Sequence, residues 1–138
     1  MFSQLFKGYS VRIAGQEVGR ATFAHRHAIL TDQDSEKQVI PLSDLGDFSP
    51  INAPLTEQAV VAYEWGYAID NPRNLVIWEA QFGDFWNQAQ VSVDTLVTCA
   101  EQKWGLQSSL LMLLPHGYDG AGPEHSSSRV ERLLQFWF

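Results

Sequence analysis

Residues 75–78, Leu-Val-Ile-Trp, form a continuous apolar run of the kind that fills a strand buried on both faces of a parallel sheet. A helix is predicted before it, over Thr56–Ile69, because Thr56 can cap it, an acidic residue occupies its first turn, and Asn71-Pro72 ends it. A second helix is predicted after it, over Asp84–Trp104, where apolar side chains recur at spacings of three and four residues. This helix–strand–helix unit is the basis of the predicted fold.

The remaining predicted elements extend this unit on both sides. Strands are predicted over Tyr9–Ala14, ended by Gly15, and over Ala28–Leu30, Val39–Leu42 and Leu110–Leu114; a helix is predicted over Ser127–Phe136, and loops over Gly46–Pro54 and Pro115–Pro123. Met1–Ser10 is interpreted as the remains of a helix that feeds the first strand. The alternation of strands and helices predicts an α/β domain with a mainly parallel sheet flanked by helices.

Length and composition exclude several classes of protein. With 138 residues, of which 45% are hydrophobic, the chain has the size and apolar content of one folded domain. Its formal charge of −7 and its scattered Lys and Arg oppose nucleic-acid binding. No apolar run approaches the ~20 residues that a membrane-spanning helix needs. Cys99 is the sole cysteine, which excludes an intramolecular disulfide and a thiolate zinc site.

Three segments leave predicted strand ends, which is where ligands bind in open α/β sheets. They are Gly15–His27, Glu79–Phe85 and Pro115–His125, and together they contain all four histidines of the chain. Histidine is the side chain best suited to proton transfer near neutral pH. The alternation of His25 and His27 would place both rings on one side of an extended chain, where they could contact an anion.

Residue patterns alone leave each of these segments open to two interpretations. The glycine-rich loop is either a ligand site or an ordinary connection to a helix, and Ala24–His27 is either an anion contact or a solvated loop. Glu57 lies in the first turn of the predicted helix, where the helix dipole favours a carboxylate, and its position alone suggests no more than this role. The aromatic residues within 78–85 either stack on a flat ligand ring or pack in the core. Phosphate-loop, dinucleotide-binding and hydrolase-elbow motifs are absent from the sequence.

Four blocks of the sequence resemble the E1 component of 2-oxoglutarate dehydrogenase and its 2-oxoadipate counterpart. They are residues 15–27, residues 76–85 (VIWEAQFGDF), residues 101–104 and residues 113–132, which begin LLPHGYDGAGPEHSS. The resemblance covers about Gly8–Gln135 in order, and long motifs of this kind are specific. It implies a transketolase-like pyrimidine-binding domain over residues 1–138, as a fragment of an E1 subunit.

The resemblance also implies a cofactor, a reaction and partners. The cofactor is thiamine diphosphate, with Mg²⁺ bound mainly by a partner domain, and the reaction is oxidative decarboxylation of 2-oxoglutarate or 2-oxoadipate with acyl transfer to lipoyl-E2. The implied partners are the diphosphate-binding half of E1, a second E1 subunit and lipoyl-E2, with no nucleic acid and no membrane. The implied compartment is the mitochondrial matrix in a eukaryote and the cytoplasm in a bacterium.

The family pattern then assigns roles to individual residues. Glu57 matches the carboxylate that hydrogen-bonds a nitrogen of the aminopyrimidine ring, which replaces the first-turn interpretation. Gln81, Phe82 and Phe85 match the segment that lines the aminopyrimidine pocket. His125 matches an active-site histidine of the Gly-Pro-Glu-His-Ser block, suited to substrate contact or proton transfer. His25 and His27 are carried over to the substrate side, and no metal ligand is assigned.

The sequence also departs from the family pattern. Ala21 stands where the family has Gly in its Gly-Arg-Gly-Thr-Phe block, and Ala100 replaces a Gly before Glu-Gln-Lys-Trp. The Gly-Asp-Gly…Asn segment that binds diphosphate and Mg²⁺ is absent, so we expect a truncated domain that is inactive by itself. Two alternatives are a non-catalytic module that pairs with a full-length E1, and a separate hydrolase with a metal bound by His25, His27, His116 and His125.

Overall fold

The computed structural model describes residue 3, residue 5, residues 7–118 and residues 120–137. Its strands are β1 (Ser10–Gly15), β2 (Leu30–Thr31), β3 (Gln38–Val39), β4 (Phe48–Asn52), β5 (Asn74–Glu79) and β6 (Leu110–Leu113). Its α-helices are α1 (Glu57–Asp70), α2 (Gln90–Ser92), α3 (Ala100–Trp104) and α4 (Val130–Leu134). Of the predicted helical remnant Met1–Ser10, residues 1, 2, 4 and 6 lie outside the described residues.

A parallel sheet forms the centre of the fold. Its strand order is β4-β1-β5-β6, and every neighbouring pair is parallel. Ala14 of the central strand β1 lies between Ile51 of β4 and Trp78 of β5. The two short strands β2 and β3 pair separately as an antiparallel hairpin. The predicted α/β fold with a mainly parallel, helix-flanked sheet is therefore confirmed.

The prediction of a loop over Gly46–Pro54 is wrong, because Phe48–Asn52 forms the edge strand β4. Phe48 and Pro50 are buried in alternation, as a half-buried strand requires. Proline lacks a backbone donor and is tolerated at a sheet edge, where half of the backbone groups have no partner strand. The Pro, Ser and Asn that suggest a loop are therefore compatible with this strand.

The prediction of one helix over Asp84–Trp104 is also wrong, because the segment is broken into short pieces. A 3₁₀ helix over Gly83–Ala89 leads into α2, a π-helical turn over Val93–Val97 follows, and α3 ends the segment. The hydroxyls of Thr95 and Thr98 donate to backbone carbonyls four residues earlier, at 2.7 and 3.0 Å. Such bonds compete with regular helical hydrogen bonding, which accounts for the irregularity.

Three other predicted elements have different boundaries in the structure. Strands are predicted over Ala28–Leu30 and Val39–Leu42, but the observed strands β2 and β3 have only two residues each. Pro41 begins a 3₁₀ turn over Pro41–Leu45 instead of continuing a strand. In place of a helix over Ser127–Phe136, α4 begins at Val130, because Arg129 has a left-handed conformation with φ of +51°. Thr56 precedes α1 as predicted, although its side chain makes no capping hydrogen bond.

Alternate residues of the strands enter two different hydrophobic clusters. The cluster that also contains residues of α1 and of the 83–97 segment includes Ala14, Val61, Trp78, Trp86 and Val93. The other cluster includes Val11, Ile13, Phe48 and Ile77. Arg12 lies between Val11 and Ile13 on β1 and pairs with the buried Glu64 of α1. These contacts fix α1 against the sheet, and its first residue is Glu57. Within the described part of the chain, no helix is long and apolar enough to cross a bilayer.

Candidate functional site

A narrow cleft lies at the carboxyl ends of β1 and β5. The chain leaves β1 toward β4 on one side and leaves β5 toward β6 on the other, so these two strands form the switch point of the sheet. The cleft has a volume of about 10 Å³, and its lining comes from the ends of both strands and the start of α1: Gly15, Gln16, Leu55, Glu57, Val60, Trp78, Glu79, Ala80 and Gln81. Residues 57 and 81, both predicted for the site, therefore meet there.

Gly15 allows the two strand ends to approach each other closely. A Cβ atom at this position would lie 2.1 Å from the backbone oxygen of Glu79, and the φ of Gly15 is +150°. Any side chain would therefore force β1 and β5 apart and widen the cleft.

Glu57 is a largely buried residue that lines this cleft. It is only 8% exposed, and among the described residues its side chain makes no hydrogen bond or ion pair. Its place as the first residue of α1 gives it the favourable field of the helix dipole. Its carboxylate oxygens are not among the buried polar atoms that lack a partner, so they are open to the cleft. The carboxylate is therefore free to accept a hydrogen bond from a ligand.

Next to Gln81, four rings form a group that we call the aromatic cluster: Phe23, Phe82, Phe85 and His125. Phe82 is its centre, with edge-to-face contacts at centroid distances of 5.8 Å to Phe23, 5.5 Å to Phe85 and 4.4 Å to His125. His125 also lies 5.4 Å from Phe85. The structure thus brings together three residues predicted for the site and adds Phe23, which the sequence did not assign.

His125 is enclosed by the glycine-rich loop. Cβ atoms at Gly120 and Gly122 would lie 1.7 Å and 2.4 Å from atoms of His125, so only glycine fits at both positions. The Nδ1 atom is buried without a hydrogen-bond partner among the described residues. The carboxylate of Glu124 is 3.9 Å away, too far for a hydrogen bond. Nδ1 is therefore covered by the loop and has no hydrogen-bond partner among the described residues.

Hydrogen bonds fasten the glycine-rich loop to the segment after β5. Asp84 accepts the Ser127 backbone N–H at 3.0 Å, and the Trp86 indole donates to the Ser128 carbonyl at 2.6 Å. The Ser128 N–H donates to Nδ1 of His116 at 3.1 Å, so His116 has a local structural role. Asp84 and Trp86 fasten the loop that carries His125; Asp84 belongs to the family-like block 76–85, whereas no sequence signal indicated Trp86.

The loop after β1 is held by Glu79 at the end of β5. Arg26 donates two hydrogen bonds to this carboxylate at 2.6 and 2.8 Å, and His25 Nε2 lies 3.4 Å from it. His27 is exposed, and no hydrogen bond or ring contact of its side chain occurs within the described ranges. The two histidines thus differ in environment, since His25 lies at Glu79 and His27 does not.

The alternative of a histidine metal site gains no support from this arrangement. His25 lies at Glu79, His116 at Ser128 and His125 in the aromatic cluster. Among the residues that the structure describes, no three His, Cys, Asp or Glu side chains are grouped to hold a metal ion.

The sheet topology and the cleft at its switch point define an α/β domain with a mainly parallel sheet. The family described as "Transketolase, pyrimidine binding domain" matches residues 3–137, and the chain belongs to this family.

Individual relatives narrow the comparison to E1 components. Identity is 54% to the "Probable 2-oxoadipate dehydrogenase complex component E1 homolog" of Caenorhabditis elegans and 51% to the "2-oxoadipate dehydrogenase complex component E1" of Homo sapiens. It is also 51% to the "2-oxoglutarate dehydrogenase, mitochondrial" of Dictyostelium discoideum. Each match covers 96% of this chain, but only 14–15% of the relative's length.

Proposed function

We propose that this domain supplies the aminopyrimidine-binding half of a thiamine diphosphate site in a 2-oxoacid dehydrogenase E1. The observation that carries the proposal is the Glu57 carboxylate, which lines the switch-point cleft and makes no hydrogen bond or ion pair among the described residues. A carboxylate that lines a cleft without a protein partner is open to a polar ligand. An aminopyrimidine ring offers the polar nitrogen atoms that this carboxylate can bind.

The side chains around Glu57 fit a flat, partly polar ring. Gln81 lines the same cleft and carries both an amide donor and an amide acceptor. Phe82 and Phe85 follow it and offer aromatic surfaces against which a ring can pack. When bound, thiamine diphosphate supplies the electron sink for decarboxylation of a 2-oxoacid.

His125 is the residue that we assign to proton transfer or hydrogen bonding at the substrate. Contacts with Phe82 and Phe85 fix its ring, the glycine-rich loop covers Nδ1, and Nε2 makes no hydrogen bond among the described residues and faces the substrate side in this proposal. A fixed imidazole with one uncommitted nitrogen can hold or donate a proton without first reorganising. Glu57 and His125 thus serve the cofactor and the substrate respectively.

The names of the relatives support the substrate class and the partners. A 2-oxoacid with a second carboxylate, 2-oxoadipate or 2-oxoglutarate, is the substrate in this proposal, in line with these names. We assign lipoyl-E2 as the acyl acceptor from the family resemblance alone. The chain spans about 15% of the length of the E1 relatives, so another part of E1 provides the diphosphate and Mg²⁺ ligands, and a second E1 subunit completes the assembly. One relative is named as mitochondrial, which supports the matrix in a eukaryotic source; a bacterial source implies the cytoplasm.

Calorimetric titration with thiamine diphosphate and Mg²⁺ tests this proposal. The chain is titrated alone and together with the separately expressed diphosphate-binding half of a relative's E1. We expect binding only when both halves are present, and we expect Glu57→Ala to abolish it. Glu17→Ala is the matched control, because Glu17 is an exposed carboxylate whose side chain pairs, within the described ranges, with Arg20 alone. If a folded partner half gives no binding, a non-catalytic module that pairs with full-length E1 becomes the better account.

A further inference from the structure

Glu79 is a buried carboxylate that the proposed chemistry does not use. It is the last residue of β5 and, like Glu57, lines the switch-point cleft. Unlike Glu57, it has partners, and both come from the loop that follows β1. A buried carboxylate with two cationic or donor partners fixes the loop that carries them.

Arg26 makes the rigid part of this contact. Its guanidinium donates to both Glu79 oxygens, at 2.6 and 2.8 Å, and also to the Val18 carbonyl at 2.9 Å. The backbone N–H of Arg26 donates to the Arg20 carbonyl at 3.1 Å. The orientation of the planar Arg26 guanidinium group is therefore fixed, and Glu79 neutralises its charge. Arg26 is not available to bind an anionic substrate.

His25, by contrast, is only partly engaged. Its Nε2 lies 3.4 Å from Glu79 Oε1, and its ring stacks on Phe23 of the aromatic cluster at 6.4 Å. The carboxylate can only accept, so the ring turns its Nε2–H toward Glu79 and keeps Nδ1 as the uncommitted atom. The side chain is 46% exposed, so a ligand can reach it.

We propose that Glu79 is a positioning residue: it locks Arg26 and thereby holds His25 beside the aromatic cluster as the loop residue that contacts the substrate. This inference rests on the proposed function and assigns the substrate contact to His25 rather than to Arg26 or the exposed His27. Glu57 contacts the cofactor, whereas both oxygens of Glu79 accept hydrogen bonds from Arg26 of the loop, so we expect loss of Glu79 to affect the substrate side far more than the cofactor side.

The first test uses the isolated chain and needs no activity. In NMR spectra, Glu79→Ala should shift the ring signals of His25 and Phe23 and increase hydrogen exchange of the Arg26 amide, while signals of α1 stay in place. Added formate, a small carboxylate, should restore the wild-type ring signals, whereas chloride should not. Glu79→Gln replaces this variant if Glu79→Ala does not fold, and Glu17→Ala is the control for removing a carboxylate from the same loop. Unchanged ring signals would overturn the inference.

The second test uses the chain complemented with the diphosphate-binding half. We expect Glu79→Ala to lower kcat/KM for the 2-oxoacid by about tenfold or more, while the Kd for thiamine diphosphate changes by less than about twofold. Arg26→Lys, which keeps the charge and loses the fork, should have a similar effect. A parallel loss of cofactor affinity would show a general structural role and refute positioning. If the wild-type pair binds no cofactor, the proposed function fails, while the NMR result still decides whether Glu79 orients the loop.

Discussion

Two Arg–Glu ion pairs of the same chemistry, Arg12–Glu64 and Arg26–Glu79, lie in different regions of the fold. Each has two Arg–carboxylate hydrogen bonds and a buried glutamate. Arg12 lies on the central strand and ties it to α1, whereas Arg26 lies on a loop and ties it to the end of β5. The first pair holds the framework, and the second holds a loop beside the cleft. The position of a pair in the fold, not its geometry, decides which property its loss affects.

The framework pair has further support. The Arg12 guanidinium lies over the rings of Tyr67 and Tyr63, at 4.7 and 5.6 Å. The hydrogen bond that Arg12 donates to Glu64 raises the pKa of Arg12 above its ordinary value, against the opposing effect of burial. A cationic group whose pKa is higher in the folded state than in the unfolded state stabilises the fold. This contribution is complete at pH values below the unfolded-state pKa and is lost only as the pH rises through the folded-state pKa. The pair is therefore intact throughout the physiological range.

The largest expected effect comes from breaking the framework pair. Glu64→Gln leaves Arg12 with no charge partner in the middle of β1, where the backbone cannot move away. We expect a loss of about 3 kcal/mol in the free energy of unfolding, measured by urea denaturation. Tyr63→Phe, on the exposed side of the same helix, is the control and should change stability little. A loss no larger than that of the control would remove the distinction between the two pairs.

The corresponding change in the loop pair should cost less. In Glu79→Gln the loop can open and return Arg26 to water, since Phe23, Ala24, His25 and His27 around it are already exposed. We expect a loss of about 1 kcal/mol, with the same urea method. Equal losses for Glu64→Gln and Glu79→Gln would show that both pairs belong to the framework.

The loop held by Arg26 also contains a strained residue. Ala21 stands where the family pattern has glycine, and its φ of +66° is unfavourable for a residue with a Cβ atom. We expect Ala21→Gly to stabilise the domain by about 0.5 kcal/mol, after allowing for the greater freedom of glycine in the unfolded chain. Ala14→Gly in β1 is the control and should destabilise it. Destabilisation by Ala21→Gly would mean that packing of the buried methyl group outweighs the strain.

An exposed carboxylate gives the smallest expected effect. Asp32 accepts the backbone N–H groups of Asp34 at 2.8 Å and Ser35 at 3.4 Å, and these bonds lower its pKa. Its contribution is therefore present above the ordinary Asp pKa of about 3.9 and is lost as pH falls through the lowered folded-state value. In an NMR titration, the Asp34 amide should shift with a midpoint below that ordinary value. A midpoint at or above it would contradict this assignment.

Local sequence patterns predicted the parts of the fold that local physics determines. Apolar runs identified β1, β5 and β6, and the Asn71-Pro72 stop located the end of α1. The edge strand β4 was missed because Pro50 and its polar neighbours suit both an edge and a loop. The Arg26–Glu79 contact joins residues that are 53 positions apart, so no local pattern could reveal it. The family resemblance, and not the spacing of residues along the chain, assigned Glu57 to the cofactor site. The structure adds that Glu57 lines the cleft at the switch point.

The most direct test of the central claim is a paired measurement on Glu57→Gln. Its carboxylate has no partner among the described residues, so the free energy of unfolding should match that of the wild type within about 0.5 kcal/mol. The affinity of the complemented site for thiamine diphosphate should be lost in the same variant. Retained affinity, or loss of affinity together with a large loss of stability, would contradict the account, because Glu57 would then serve the fold and not the ligand.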